Sequence, residues 1–275
     1  MRAPILFLAS FVLAYSCNPL PAIVEGESLL VVEGNIEDGH FPIVALSASI
    51  PVDYKLRSID SLSQYVLLWS RVSINDGEDE VVLTGMYDDS RYPPYVYTTS
   101  RMQGEAGKTY TINVSGRGMK ASASAKMPAS CYLEDIWAEK IKDSDKYIIK
   151  AILPEEGYEY ASFYVMREGI DDNYLHSYLS SVDRTNISES REVIILPGKS
   201  IFSDNQTYYE RGLTVKVKFV TMDEDAYFFW TKFDEDETFT NSPFSPKMNN
   251  LPTNVKGGRG YWNAYGVKEY QVIIP

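Results

Sequence analysis

The feature that most constrains this chain is a recurring period of two. In Thr109–Ser115, Tyr110, Ile112 and Val114 alternate with Thr111, Asn113 and Ser115. After the turn Gly116-Arg117-Gly118, residues 121–126 alternate Ala121, Ala123 and Ala125 against Ser122, Ser124 and Lys126. Strict alternation places one set of side chains in a core and the other in water, which a helix of period 3.6 cannot do. Further apolar, β-branched segments precede these: Ser28–Ile36, Ile43–Ile50, Tyr65–Ile74 and Glu80–Tyr87, the last two joined by the hairpin-type turn Asn75-Asp76-Gly77. Short strands with turn signals between them specify a mainly β fold, here read as two β-sandwich domains of immunoglobulin or fibronectin type.

The boundary is placed at Pro128–Ser130, giving an N-terminal sandwich over 28–128 and a C-terminal β domain over 129–275. In the second half, strands are expected at Tyr132–Lys140, Lys146–Leu153, Tyr160–Arg167, Glu192–Leu196 and Leu213–Thr221. Glu168–Arg191 is a polar excursion with a short helix at Asp172–Leu179. A second helix is expected over 223–233: Asp223 suits its N-cap, and Ala226, Trp230 and Phe233 form one apolar face. A long loop over 234–262 then leads to a last strand, Ala264–Ile274.

The first residues carry an address. Arg2 precedes an apolar run from Ile5 to Leu13, too short to span a bilayer, so 1–16 reads as an export signal. The run ends at Ser16-Cys17 and resembles the bacterial lipobox, with Ala14 where Leu is usual. Cys17 is therefore expected to be lipidated and to tether the chain to a membrane, with 17–27 as a proline-containing leash.

Charge limits the function classes. Lys and Arg total 26 against 38 Asp and Glu, a net charge of −12 that repels phosphate backbones, so no nucleic-acid partner is expected. Two cysteines exclude a disulfide scaffold, and two histidines leave little for a metal site. No cofactor is expected. Gly198-Lys199-Ser200 is no phosphate loop, because Val193 stands where its first glycine belongs. Gly257-Gly258-Arg259-Gly260 is read as a structural turn rather than an anion-binding nest. Asp223-Glu224-Asp225 suits a helix start. Asp234-Glu235-Asp236-Glu237 leaves calcium as the lesser reading. Neither His40 nor His176 has a nucleophile motif nearby, so the chain is read as no enzyme; a pocket holding His176 beside a nucleophile and a carboxylate would revive a hydrolase. Exposed tyrosines, including Tyr92, Tyr95 and Tyr174, are read first as strand and corner residues. Asn113, Asn186 and Asn205 match the eukaryotic glycosylation pattern by chance, and Ser61 lies in a triplet resembling a bacterial O-glycosylation site.

A series of short motifs resembles one family. It runs Asp225-Ala226-Tyr227 with Phe228-Phe229-Trp230, then Asn241-Ser242-Pro243-Phe244, then Pro252-Thr253-Asn254-Val255, and ends Gly257 to Tyr265. Leu30–Gly34, Ile43–Pro51 and Gly107–Tyr110 add weaker matches. The chain is similar to the Bacteroidota envelope lipoproteins grouped as domain of unknown function 4249 (DUF4249), from about Leu29 onward. Thr253 and Trp262 depart mildly from the family's usual Ser and Phe. The resemblance implies an outer-membrane, lipid-anchored β protein, an accessory or binding partner of a TonB-dependent outer-membrane transporter, with no catalytic residue. A surface adhesin or structural envelope protein is the alternative. Contact would be made by the 234–262 loop, with Asn254, Gly257, Gly258, Gly260, Tyr261 and Trp262 as candidates.

Overall fold

The computed structural model describes residues 28–49, 63–91, 93–198, 207–239 and 251–275, with backbone alone over 236–239. The protein is mainly β, with several sheets and, among the described residues, one α-helix. The strands of the first half are β1 (Leu30–Glu37), β2 (Ile43–Ala48), β3 (Arg71–Asn75), β4 (Glu80–Val82), β5 (Thr84–Tyr87), β6 (Tyr95–Thr98), β7 (Thr109–Gly116) and β8 (Met119–Lys126). Then come β9 (Asp135–Lys140), β10 (Lys146–Ile152), β11 (Tyr160–Arg167), β12 (Leu175–His176), β13 (Val182–Asp183), β14 (Glu192–Ile195), β15 (Tyr209–Glu210) and β16 (Thr214–Met222). The helix α1 (Glu224–Phe239) and the long β17 (Gly258–Ile273) close the order.

A single nine-stranded sheet runs through both halves in the order β12-β11-β16-β17-β1-β2-β6-β5, with β13 beside β11. β17 joins its two parts. Residues 258–265 pair in parallel with β1, and 266–273 pair antiparallel with β16. Two four-stranded sheets stack against this long one. One is β4-β3-β7-β8; the other has β10 between β9 and the pair β14 and β15. The first core takes its side chains from Leu30 to Met127 together with Val255, Trp262 and Ala264. The second runs from Leu133 to Ile274. A third, smaller cluster lies on the outer face of the long sheet under α1, around Met222, Ala226, Tyr261 and Tyr265.

Residues 128–130 lie closely on the shared strand. A Cβ at Gly266 would stand 2.8 Å from the Pro128 carbonyl oxygen, so only glycine admits the crossing chain. Thr221 Oγ1 donates to the Ala129 carbonyl at 2.9 Å and fastens the same segment.

Several elements differ from the sequence expectations. Tyr65–Ile74 is not one strand: Arg71–Asn75 forms the ladder and Val66 makes a single bridge to Ser47, because Trp69 between them takes a left-handed backbone (φ 61°) that interrupts the extended run. Its apolar character has another cause, since Val66 and Leu67 are buried outside any ladder. Glu80–Tyr87 is two strands, β4 on β3 and β5 on β6, with the chain changing sheets at Leu83. Asp172–Leu179 is not a helix. Leu175 and His176 pair with the edge of β11, and Leu179 takes a left-handed φ of 54°. Arg167 and Asp171 turn the chain there, through a buried two-pronged pair at 2.8 and 2.7 Å. The helix runs on to Phe239, and the last strand starts at Gly258 rather than Ala264. The expected loop 234–262 therefore splits into helix, strand and an irregular 251–257, with 240–250 outside the described residues.

Candidate functional site

The outer face of the long sheet, where α1 crosses it, holds the densest chemistry in the protein. Alternation fixes which side chains point there: Ser162 and Tyr164 of β11, Lys218 and Val220 of β16, Tyr261, Asn263 and Tyr265 of β17, and Glu33, Asn35 and Glu37 of β1. Asp223 caps α1, its Oδ1 accepting from the Ala226 amide at 2.9 Å, which orients the helix over this face.

Under the helix, Ser162 Oγ stands 2.7 Å from His176 Nε2, and His176 Nδ1 lies 3.8 Å from Asp234 Oδ1. The connectivity is that of a serine hydrolase triad. The surroundings are not. Ser162 is fully buried and also lies 2.8 Å from Ser180 Oγ. The imidazole stacks on Trp230 with ring centres 4.1 Å apart, and Tyr164 packs edge-on against it. Tyr265 accepts from Trp230 Nε1 at 2.9 Å and meets the Tyr164 hydroxyl at 3.2 Å. Asp234 Oδ1 is beyond hydrogen-bond reach of Nδ1. Desolvation therefore dominates the ring and lowers the His176 pKa to about 3, so it is neutral at physiological pH. No substrate atom reaches Ser162 in this arrangement, and the network serves to hold β12 and α1 on β11.

Beside this buried cluster the same face is more open. Asn35 and Asn263 are register partners, and Glu33 and Tyr261 are the next pair. Asn263 is buried, yet its Oδ1 has no hydrogen-bond partner, and neither has the Tyr261 hydroxyl. Glu33 is solvent-exposed, while desolvation raises its pKa against the opposing pull of Arg91. At the other end Lys218 bonds Glu37 at 2.5 Å and lies over the Tyr174 ring.

The residues singled out from sequence fall elsewhere. Asn254 does not face solvent for contact. Its amide donates to the Trp262 carbonyl at 2.7 Å and accepts from the Trp262 amide at 3.1 Å. Trp262 is fully buried and Tyr261 nearly so. Gly257 and Gly260 take positive φ and Gly258 starts β17; all three approach neighbouring backbone too closely for a Cβ. The series is thus a brace between β17 and the first core, with Gly257 exposed and Asn254, Gly258 and Gly260 half-buried. His40 is exposed in a turn, near Glu37 and Glu269. Burial pushes the Cys131 thiol up to about 11, which leaves it unactivated. Tyr95, Tyr97 and Tyr209 are core residues. Cys17, Ser61, Tyr92, Asn205 and Asn241–Phe244 lie outside the described residues. Among the described residues no group of three His, Cys, Asp or Glu side chains could hold a metal ion.

One exposed residue stands out. Trp69 is 87% exposed on its strained backbone. Tyr97 pins both flanks, donating to the Leu67 carbonyl and accepting from the Ser70 amide, each at 2.8 Å. Because the indole buries little, Trp69→Gly should leave thermal stability within about 1 kcal/mol of the native protein, relief of the left-handed strain offsetting the added chain entropy. Calorimetric melting of the two proteins checks this.

The model of one family, described as a domain of unknown function (DUF4249), matches residues 18–271. No curated protein matches the chain.

Proposed function

Because the chain belongs to the DUF4249 family, we propose that it is a lipid-anchored cell-envelope protein that works by non-covalent binding rather than catalysis, as an accessory of a TonB-dependent outer-membrane transporter. The observation that carries the binding reading is the buried pair of Asn263 Oδ1 and the Tyr261 hydroxyl, neither of which has a hydrogen-bond partner. A buried carbonyl oxygen without a partner costs roughly 1–3 kcal/mol, which a hydrogen-bonding partner would recover. The burial of Ser162 and the stacking of His176 on Trp230 support the non-catalytic half of the reading. The anchor rests on the apolar run ending at Cys17, and the transporter on the family resemblance.

Cys17→Ala should move the protein from the membrane pellet to the soluble fraction, since a single retained acyl chain or none gives only marginal binding. Crosslinking in native outer membranes, followed by affinity capture and mass spectrometry, should recover one TonB-dependent receptor with the native protein and much less with Cys17→Ala. Membrane-bound protein that recovers no receptor would overturn the accessory reading and favour an adhesive or structural role.

A further inference from the structure

We propose that the outer face of the sheet β4-β3-β7-β8 binds an acidic polysaccharide, a chain of sugars carrying sulfate or carboxylate groups. This does not rest on the anchor or on the transporter partner. The face is ordered in rows by the ladder register. One row is Arg71, Ser115, Lys120; the next is Ser73, Asn113, Ser122, with Lys256 following at the edge. Together they line an open depression of about 300 Å³.

Three features point to this ligand class. Among the described residues Arg71, Lys120 and Lys256 form no ion pair, although the chain carries 38 acidic residues. Of the other strand lysines, Lys140, Lys150, Lys216 and Lys218 are matched by carboxylates, and Lys146 and Lys268 lie over tyrosine rings. The acidic group on this face, Glu80, stands at the far corner beside Asn75. Secondly, the cations are spread rather than convergent. Arg71 and Lys120 are two strands apart in one row, about 10 Å. That spacing fits charges distributed along a chain better than one phosphate. Thirdly, the ground between them presents hydroxyls and an amide, from Ser73, Asn113, Ser115 and Ser122, beside Val114 and Ala121. Such groups hydrogen-bond sugar hydroxyls.

Lys256 is held in place by the chain itself. The Ser122 amide donates to the Lys256 carbonyl at 2.9 Å, and the Lys256 amide donates back to the Ser122 carbonyl at 2.8 Å. This pair extends the sheet by one residue at the edge of β8. It depends on Gly257, whose backbone is left-handed and where a Cβ would lie 2.5 Å from the Lys120 carbonyl oxygen. The glycine series therefore sets a third cation beside the first two.

The test uses the full-length protein in detergent and a fluorescent heparin octasaccharide as probe, with anisotropy read across a salt series. Saturable binding that neutral dextran does not compete is expected. The double variant Lys120→Ala, Lys256→Ala should weaken it about tenfold or more at low salt and reduce the slope of log K against log salt by about two. All substituted side chains are exposed, and circular dichroism checks the fold; Arg71→Ala gives an independent single-site readout. Absence of binding, or equal affinity in native and double-variant proteins, would overturn the proposal. So would inorganic sulfate displacing the probe at an affinity equal to the octasaccharide's, which would make the site a single-anion one. Equal binding of single-stranded DNA of matched charge would overturn the polysaccharide assignment in favour of unselective charge attraction.

Discussion

The native protein should lose about 3 kcal/mol of unfolding free energy relative to His176→Phe between pH 6.5 and pH 4. Burial lowers the folded-state pKa of His176 to about 3, from an ordinary 6.5 in the unfolded chain. Above pH 6.5 both states carry a neutral ring, and the native arrangement retains its full stability. Below it the unfolded chain takes up a proton that the folded protein refuses, so stability falls by about 1.4 kcal/mol per pH unit until the folded pKa is passed. Phenylalanine keeps the stack on Trp230 and removes the titration, while Ser162 retains Ser180 as a neighbour. Carboxylates elsewhere titrate in both proteins, Asp76 near 2 among them, and cancel in the difference. Asp234 opposes the effect, since its charge 3.8 Å from Nδ1 favours an imidazolium. Urea unfolding of both proteins from pH 4 to 7.5 decides between the two. A difference that does not change with pH would mean that the folded ring titrates at its ordinary value, and a native protein that loses relative stability as pH rises above 6.5 would mean that Asp234 holds the ring protonated in the folded state.

Trp262→Ala should cost about 3–5 kcal/mol, a large part of the 5–15 kcal/mol that holds an ordinary domain folded. The indole is fully buried in the first core. Its Nε1 donates to the Tyr110 carbonyl at 2.9 Å, and Asn254 grips its backbone from both sides. Gly34 is the floor on which it lies: a Cβ there would stand 3.2 Å from Trp262 Cε3 and 2.9 Å from the Ile43 carbonyl oxygen. Truncation to alanine opens a cavity at the meeting of β1, β7 and β17 and leaves the Tyr110 carbonyl without its donor. Trp262→Phe keeps most of the ring volume and loses only the donor, so about 1–2 kcal/mol is expected. Denaturant midpoints of the three proteins give the ranking. A Trp262→Ala variant as stable as Trp262→Phe would show that the core collapses around the site.

What was legible in the sequence follows from burial. Where one face meets a core and the other meets water, as in β7 and β8, alternation placed each strand within a residue or two. β17 was misread at its start for the opposite reason. From Tyr261 to Val267 every residue is buried, because Trp262 and Ala264 face the first core while Tyr261, Tyr265 and Val267 face α1. With both faces covered the periodicity vanishes, and the glycines before it look like a loop. The helix, by contrast, was announced by Asp223 and the Ala226–Trp230 spacing. Its extension to Phe239 passes through acidic residues that give no apolar period. The contacts around His176 had no local signal at all. Ser162, His176 and Asp234 lie on β11, β12 and α1, and only the ladder and the helix bring them together. The same holds for Arg71, Lys120 and Lys256, scattered charges until the register aligns them.

The parallel ladder between β1 and β17 also sets an order of events in folding. Leu30, near the front of the described chain, has Gly258 as its partner, and Trp262 completes the core that β1 begins. The first sandwich therefore cannot finish while the later residues are still being synthesised. Until they arrive, β1 presents an unpaired edge and an apolar face with a missing wall, the condition under which strands associate wrongly. So high a contact order makes for slow folding, with both halves locking in one late step when 258–273 slides between β1 and β16. The two halves of a chain of this design should refold with a shared rate rather than as independent units.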